Sequence, residues 1–266
     1  MLRENSTKAS KNKDRKIAVE LIHVEKQFPG MTGPALDDVN IRIAEGEFVT
    51  VLGSSGCGKT TLIKMLNRLC EPDRGDILLF GENIREQNPV LLRRKTGYVI
   101  QQVGLFPHMT VKENISTIPK ILKWEKKKTE QKVDEMLRLV ALEPEEYRNR
   151  YPAQLSGGQQ QRVGIARALI ADPPLMLLDE PFGAIDAINR EILQTELKKI
   201  QEQSGRTYLF VTHDIREAWK LGTKVLVMNQ GKILQFASPQ EIQAHPADEF
   251  VEELLRTADM GKGENV

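Results

Sequence analysis

Two stretches of this chain carry residues spaced for handling phosphate, and they lie far apart in sequence. The first, Gly53-Ser54-Ser55-Gly56-Cys57-Gly58-Lys59-Thr60-Thr61, sets glycines where backbone N–H groups must curl around an anion. Lys59 then reaches the β and γ oxygens of a nucleotide, and the Thr60 hydroxyl is placed to ligate Mg²⁺. The second, Leu155-Ser156-Gly157-Gly158-Gln159, opens a helical stretch with a capping serine and two glycines, an anion site of phosphate size. One continuous site cannot include both, so the spacing suggests a nucleotide shared between two copies of the chain. Further on, Leu175-Met176-Leu177-Leu178 delivers Asp179 and Glu180 to the end of a buried strand. Asp179 suits a metal ion held through water. Glu180 suits orienting and deprotonating an attacking water, because phosphoryl transfer needs positioning and charge stabilisation above all. His213 follows the apolar run Tyr208–Thr212 and reads either as a structural histidine or as a group projecting from the same sheet edge toward a γ-phosphate. His23, His108 and His245 lack such a setting and are assigned no chemistry. Cys57 reads either as a small residue that fits the loop or as a thiol activated by Lys59 and a helix N-terminus, open to maleimide and protected by ATP.

The elements that must position these residues follow from periodicity. Alternating apolar positions at Ile17, Val19 and Leu21, and at Val39, Ile41 and Ile43, predict half-buried antiparallel strands. Phe48-Val49-Thr50-Val51-Leu52 is nearly continuous, the pattern of a strand covered on both faces in a parallel sheet. It feeds the glycine loop, and a helix follows with Leu62, Ile63, Leu66 and Leu69 on its inner face. From about Pro107 to Arg150 the pattern is helical without strands, with Val133, Met136, Leu137 and Val140 on one face. Strands return at Leu175–Leu178, Tyr208–Thr212 and Lys224–Met228, separated by a helix bearing Ile192, Leu193, Leu197 and Ile200, which argues right-handed parallel crossovers. Asn229-Gln230-Gly231-Lys232 reads as a hairpin turn. Ser238-Pro239-Gln240-Glu241 reads as a capped helix start.

With 38 Lys+Arg against 37 Asp+Glu in 266 residues, the charge balance gives no reason to expect nucleic-acid binding. The basic exception is the arm at residues 1–16, which reads as a solvated, disordered tail or as weakly attracted to anionic lipid. The apolar run Leu175–Leu178 is far short of the roughly 20 residues that cross a bilayer, so the chain reads as cytosolic or peripheral to a membrane. The two cysteines, Cys57 and Cys70, have no metal or redox spacing.

Over residues 17–255 the chain resembles the ATP-binding cassette (ABC) family, specifically the ATPase subunit of a transporter. Gly53–Thr60 is similar to its Walker A motif, Gln101 to its Q-loop glutamine, and Leu155–Arg162 to its signature motif. Leu175–Glu180 is similar to Walker B, Ala184-Ile185-Asp186 to the D-loop and His213 to the switch histidine. The neighbouring Gln102 matches the Q-loop pattern with a shift of one. Phe28 matches the aromatic that stacks on adenine, where most relatives have Tyr; the alternative is a core phenylalanine. The resemblance implies an α/β fold: a RecA-like parallel core, an N-terminal antiparallel β subdomain and an inserted helical subdomain at about 103–162. The cassette would span 17–256, after the basic arm and before a tail at 257–266.

It implies ATP and Mg²⁺ as ligands, with Thr60, Gln101 and Asp179 at the metal and Glu180, His213 and Lys59 in catalysis. A second copy, paired head to tail, would supply Ser156, Gly157, Gly158, Gln159 and Asp186 in trans. Other implied partners are membrane permease subunits and, indirectly, a solute-binding protein, with the chain peripheral on the cytoplasmic face. The Gly97–Thr110 stretch, Glu180–Ala184 and Pro246–Val251 look most like the quaternary-amine importer subfamily, whose members take up glycine betaine, choline, carnitine or proline. Many such ATPases continue into paired regulatory CBS domains; this sequence ends at Val266, so control by ionic strength through them is not carried over. Alternatives are another importer's ATPase, for amino acids or other polar solutes, and a soluble non-transport ABC ATPase. The latter typically carries two cassettes or a long coiled-coil insertion, and neither pattern occurs here. A P-loop kinase or GTPase would leave the signature unexplained.

Overall fold

The alternating apolar residues near the N-terminus pair as expected, in the first of two sheets. In the computed structural model, which describes residues 15–101 and 104–260, the strands are β1 (Ile17–Lys26), β2 (Leu36–Ala44), β3 (Phe48–Gly53), β4 (Arg74–Leu79), β5 (Glu82–Asn83), β6 (Thr96–Val99), β7 (Leu175–Asp179), β8 (Thr207–Val211), β9 (Lys224–Asn229) and β10 (Lys232–Ala237). The first sheet is antiparallel in the order β2-β1-β4-β5, with Val19 opposite Ile43 and Leu21 opposite Ile41. The second runs β10-β9-β3-β8-β7-β6 and is parallel except for the β9–β10 hairpin. Gln230 and Gly231 close that hairpin with φ of 45° and 79°, the left-handed pair a two-residue turn requires.

The inner strands β3, β7 and β8 explain their unbroken apolar runs. Leu175, Leu177, Leu209 and Val211 face one core, shared with the antiparallel sheet and with α1 (Lys59–Leu66). Met176, Leu178, Tyr208 and Phe210 face a second core, so side chains on both faces must be apolar. That second core is filled largely from helices. After α2 (Pro89–Arg94) and β6, the segment that leads to β7 is strandless: α3 (Val111–Ile115), α4 (Thr117–Ile121), α5 (Lys126–Leu139), α6 (Pro144–Tyr147) and α7 (Gly157–Leu169). Val133, Met136, Leu137 and Val140 pack there against Val163 and Ile165 of α7. α8 (Ala187–Ser204) closes this face with Leu193 and Leu197. α9 (Ile215–Leu221), α10 (Pro239–Ala244) and α11 (Glu249–Met260) contribute to a third, smaller core around Val225, Val227, Ile242 and Val251.

Three expectations are corrected. Leu69 is half exposed, because α1 ends earlier. Arg68 turns left-handed at φ 48°, its N–H donating to the Met65 carbonyl while that of Leu69 donates to Lys64, a Schellman stop. Ile192 is exposed, since of the four apolar positions read for α8 only Leu193 and Leu197 turn fully inward. α11 remains helical through Met260, into the stretch read as tail. Residues 1–14, most of the basic arm, lie outside the described residues, as do Gln102, Val103 and residues 261–266.

Candidate functional site

β3 ends at Gly53, and the chain loops over the C-terminal edge of the parallel sheet before entering α1. Gly58, at the N-cap of α1, has φ 106°, and a Cβ there would run into the Ala35 carbonyl. Only glycine lets the loop close this tightly. Lys59 is buried and its Nζ donates to the carbonyls of Gly53 and Ser54, each at 2.8 Å, so the ammonium spans the loop's mouth.

Above this loop lies a cleft of about 570 Å³ lined by Phe28, Gly53, Ser55, Gly56, Gly58, Lys59, Thr60, Thr61, Gln101, Glu180 and His213, with Met31 and Ala35. Ser54 and Cys57 turn away from it. The Ser54 hydroxyl donates to Asn229 Oδ1 at 3.1 Å, and Cys57 is 2% exposed within the core under α1. Cys57 therefore has the setting of a small packed residue, 3.7 Å from Lys59 Nζ, and a maleimide has no open path to it.

The β7 carboxylates sit side by side with different surroundings. Asp179 is buried and accepts a hydrogen bond from Thr60 Oγ1 at 3.2 Å. Burial pushes its carboxyl above the usual carboxylate range, partly offset by that hydrogen bond. Glu180 is left-handed at φ 47°, a conformation that costs a non-glycine residue about 1–3 kcal/mol. Its N–H donates to the Val211 carbonyl at 3.0 Å, and two residues on Phe182 anchors the turn against Phe210, with ring centroids 5.3 Å apart. The strained turn aims the carboxylate into the cleft. There Gln101 Nε2 donates to its Oε2 at 3.1 Å, and His213 Nδ1 lies 3.5 Å from the same oxygen. Oxygen donors from Thr60, Asp179 and Gln101 make a set that suits Mg²⁺, which keeps part of its water shell.

Ser156, Gly157, Gly158, Gln159 and Asp186 are not among the residues lining this cleft. Ser156 caps α7, its Oγ accepting from the Gln159 N–H at 3.3 Å, while Gln159 Oε1 accepts from the Ser156 N–H at 2.9 Å. Asp186 caps α8, and its hydrogen bonds from the Asn189 side chain and backbone hold its carboxyl below the usual range. A Cβ on Gly158 would meet the Ala184 carbonyl at 2.9 Å, but one on Gly157 would meet nothing within 4 Å.

Two features of the site escape sequence reading. Arg162 ends the signature match, but its contacts are not readable from that: buried in α7, it donates to the Val140 and Ala141 carbonyls and to Asn189 Oδ1, joining the helical layer to the start of α8. Glu217, buried on α9 just after His213, is the other; a lone glutamate on a short helix gives no sequence signal.

The ABC transporter family profile matches residues 36–183. The chain is 54% identical to the choline transport ATP-binding protein of Bacillus subtilis, over 88% of its own length and 61% of the relative's. It is 53% identical to that organism's glycine betaine/carnitine/choline transport ATP-binding protein, over 89% and 62%. The chain thus spans about three fifths of these relatives. It also matches a dimeric ATP-binding cassette solved in a post-hydrolysis state with ADP and Pi: TM-score 0.76, 36% identity, 83% of this chain and 98% of that one. Sequence profile, relatives and backbone course agree, and the chain belongs to the ABC transporter family.

Proposed function

We propose that this chain is the ATP-hydrolysing subunit of a membrane importer for small osmoprotectant-type solutes such as glycine betaine, choline, carnitine or proline. The carrying observation is the convergence of Gln101 and His213 on one oxygen of Glu180, beside the Lys59 loop. Lys59 and the loop N–H groups bind the phosphates of ATP, and Phe28 stacks on the base. Glu180 takes the proton of the attacking water as its oxygen bonds to the γ-phosphorus and the bond to ADP breaks. His213 and Gln101 hold Glu180 and the γ-phosphate in register. Thr60, Asp179 and Gln101 would hold Mg²⁺, which neutralises charge on the phosphates when bound.

Gly157, lacking any contact of its own to explain the missing side chain, supports a head-to-tail partner that brings ATP against Ser156, Gly157, Gly158, Gln159 and Asp186. We assign residues 17–256 to the cassette and about 103–162 to its helical subdomain, which meets the permease; a solute-binding protein acts indirectly. No helix among the described residues is long and apolar enough to cross a membrane, in keeping with a peripheral subunit on the cytoplasmic face. The solute class rests on the relatives' names and is tested by uptake with the reconstituted complex against betaines, choline, carnitine and amino acids. The chemistry is tested by Glu180→Gln. Loss of the base should lower kcat roughly 100-fold or more while ATP still binds and holds a dimer; normal turnover would remove Glu180 from this role.

A further inference from the structure

Behind His213 a single buried carboxylate ties together three segments of the site. Glu217 Oε2 accepts from Thr212 Oγ1 at 2.7 Å, and its Oε1 accepts from Gln194 Nε2 of α8 at 3.1 Å. The Thr212 hydroxyl in turn accepts from the Asp214 N–H at 3.0 Å, and Asp214 caps α9. The residues on both sides of His213 are therefore fixed by one hydrogen-bonded group. On the α8 side, Arg190 donates to the Ile185 carbonyl at 3.0 Å and brings its Nε to 3.9 Å from Glu217 Oε1, with no other partner for that nitrogen. A polar cavity of about 80 Å³ opens between Arg190, Thr212, Glu217, His213 and Glu180, enough for water to join them.

Burial raises the Glu217 carboxyl above its usual range, with the Thr212 hydrogen bond opposing it. A buried acid costs stability that an apolar side chain of the same shape would not.

We propose that Glu217 is a positioning residue: it sets His213 against Glu180 and links it, through Arg190 and Gln194 of α8, to the Ala184-Ile185-Asp186 loop. The inference rests on the ATPase reading above. Glu217 itself touches neither the cleft nor ATP. Its effect travels through the backbone flanking His213, which is 72% exposed on its side chain and has little else to hold it.

The test compares Glu217→Ala, Glu217→Gln and Thr212→Val with the wild-type chain, each checked for folding by thermal denaturation. Glu217→Gln keeps an acceptor for Thr212, and a flipped Gln194 amide can meet its new N–H group. Misplacing His213 should lower kcat roughly 10- to 100-fold in Glu217→Ala with the KM for ATP unchanged. Thr212→Val should act in the same direction and non-additively with it, whereas Glu217→Gln should stay close to wild type. The His213 ring resonance, assigned by loss in His213→Ala, should shift or broaden in Glu217→Ala and Thr212→Val but not in Glu217→Gln, while those of His23, His108 and His245 stay put. Wild-type kcat per folded molecule in Glu217→Ala, or an unmoved His213 resonance, overturns the proposal. Absence of ATPase activity in the wild-type chain would instead overturn the functional reading, and the resonance would still decide the positioning role.

Discussion

Gly157 and Gly158 are neighbours that lack a side chain for different reasons. Gly158 lies against the Ala184 carbonyl, so its chain needs the space; Gly157 faces nothing within 4 Å. Gly157→Ala should therefore leave the isolated chain as stable as wild type or better, by less than about 1 kcal/mol. If a partner's nucleotide comes to that face, the added methyl should weaken ATP-dependent dimerisation roughly tenfold or more, the cost of overpacking a tight contact. Sedimentation with and without ATP, alongside thermal denaturation, checks both halves. Residue identity alone made Lys59, Thr60, Asp179 and Glu180 legible, because no other spacing serves phosphate chemistry so directly. It left two readings open at Cys57, and the side chain, packed into the core, takes that of a small residue that fits the loop. It was silent on Glu217, whose buried carboxylate is met by Gln194 of α8 and by Thr212 just after β8.

Helix starts were the most readable elements, since a cap is a local exchange between residues three apart. Ser156 with Gln159 and Ser238 with Glu241 both form the reciprocal capping box their spacing predicts. Ser238→Ala should cost about 0.5–2 kcal/mol in chemical denaturation. The Ser238 backbone N–H holds the Glu241 carboxyl below its ordinary range. A depressed acid contributes stability above its unfolded pKa and loses it as pH falls through the lower folded value. Glu241→Gln should thus melt below wild type at neutral pH, with the difference closing on acidification; a pH-independent gap would contradict the charge-assisted cap. Less readable were β4 and β6, short strands that are only partly buried. Their pairing energy comes from β1 and β7, which no local pattern encodes.

At the scale of the whole molecule the two phosphate-type motifs lie apart. The phosphate loop, Asp179, Glu180, Gln101 and His213 share one cleft, and the Ser156–Gln159 turn is outside it. If two copies complete each other head to tail, Lys59→Ala and Ser156→Arg chains should each fail to form an ATP-bound dimer alone. Mixed, one of the two composite sites in each heterodimer is intact, so ATP-dependent dimers should reappear. No recovery on mixing would rule out sharing in trans. The sequence by itself determined the phosphate-type motifs, the parallel core and the cap positions, because each depends on residue type or short-range spacing. Only the tertiary structure decided which groups meet: that Gln101 and His213 converge on a strained Glu180, that Cys57 is sealed, and that Glu217 ties His213 to α8. Those contacts join different elements, and their geometry is set by how the cores pack against the central sheet.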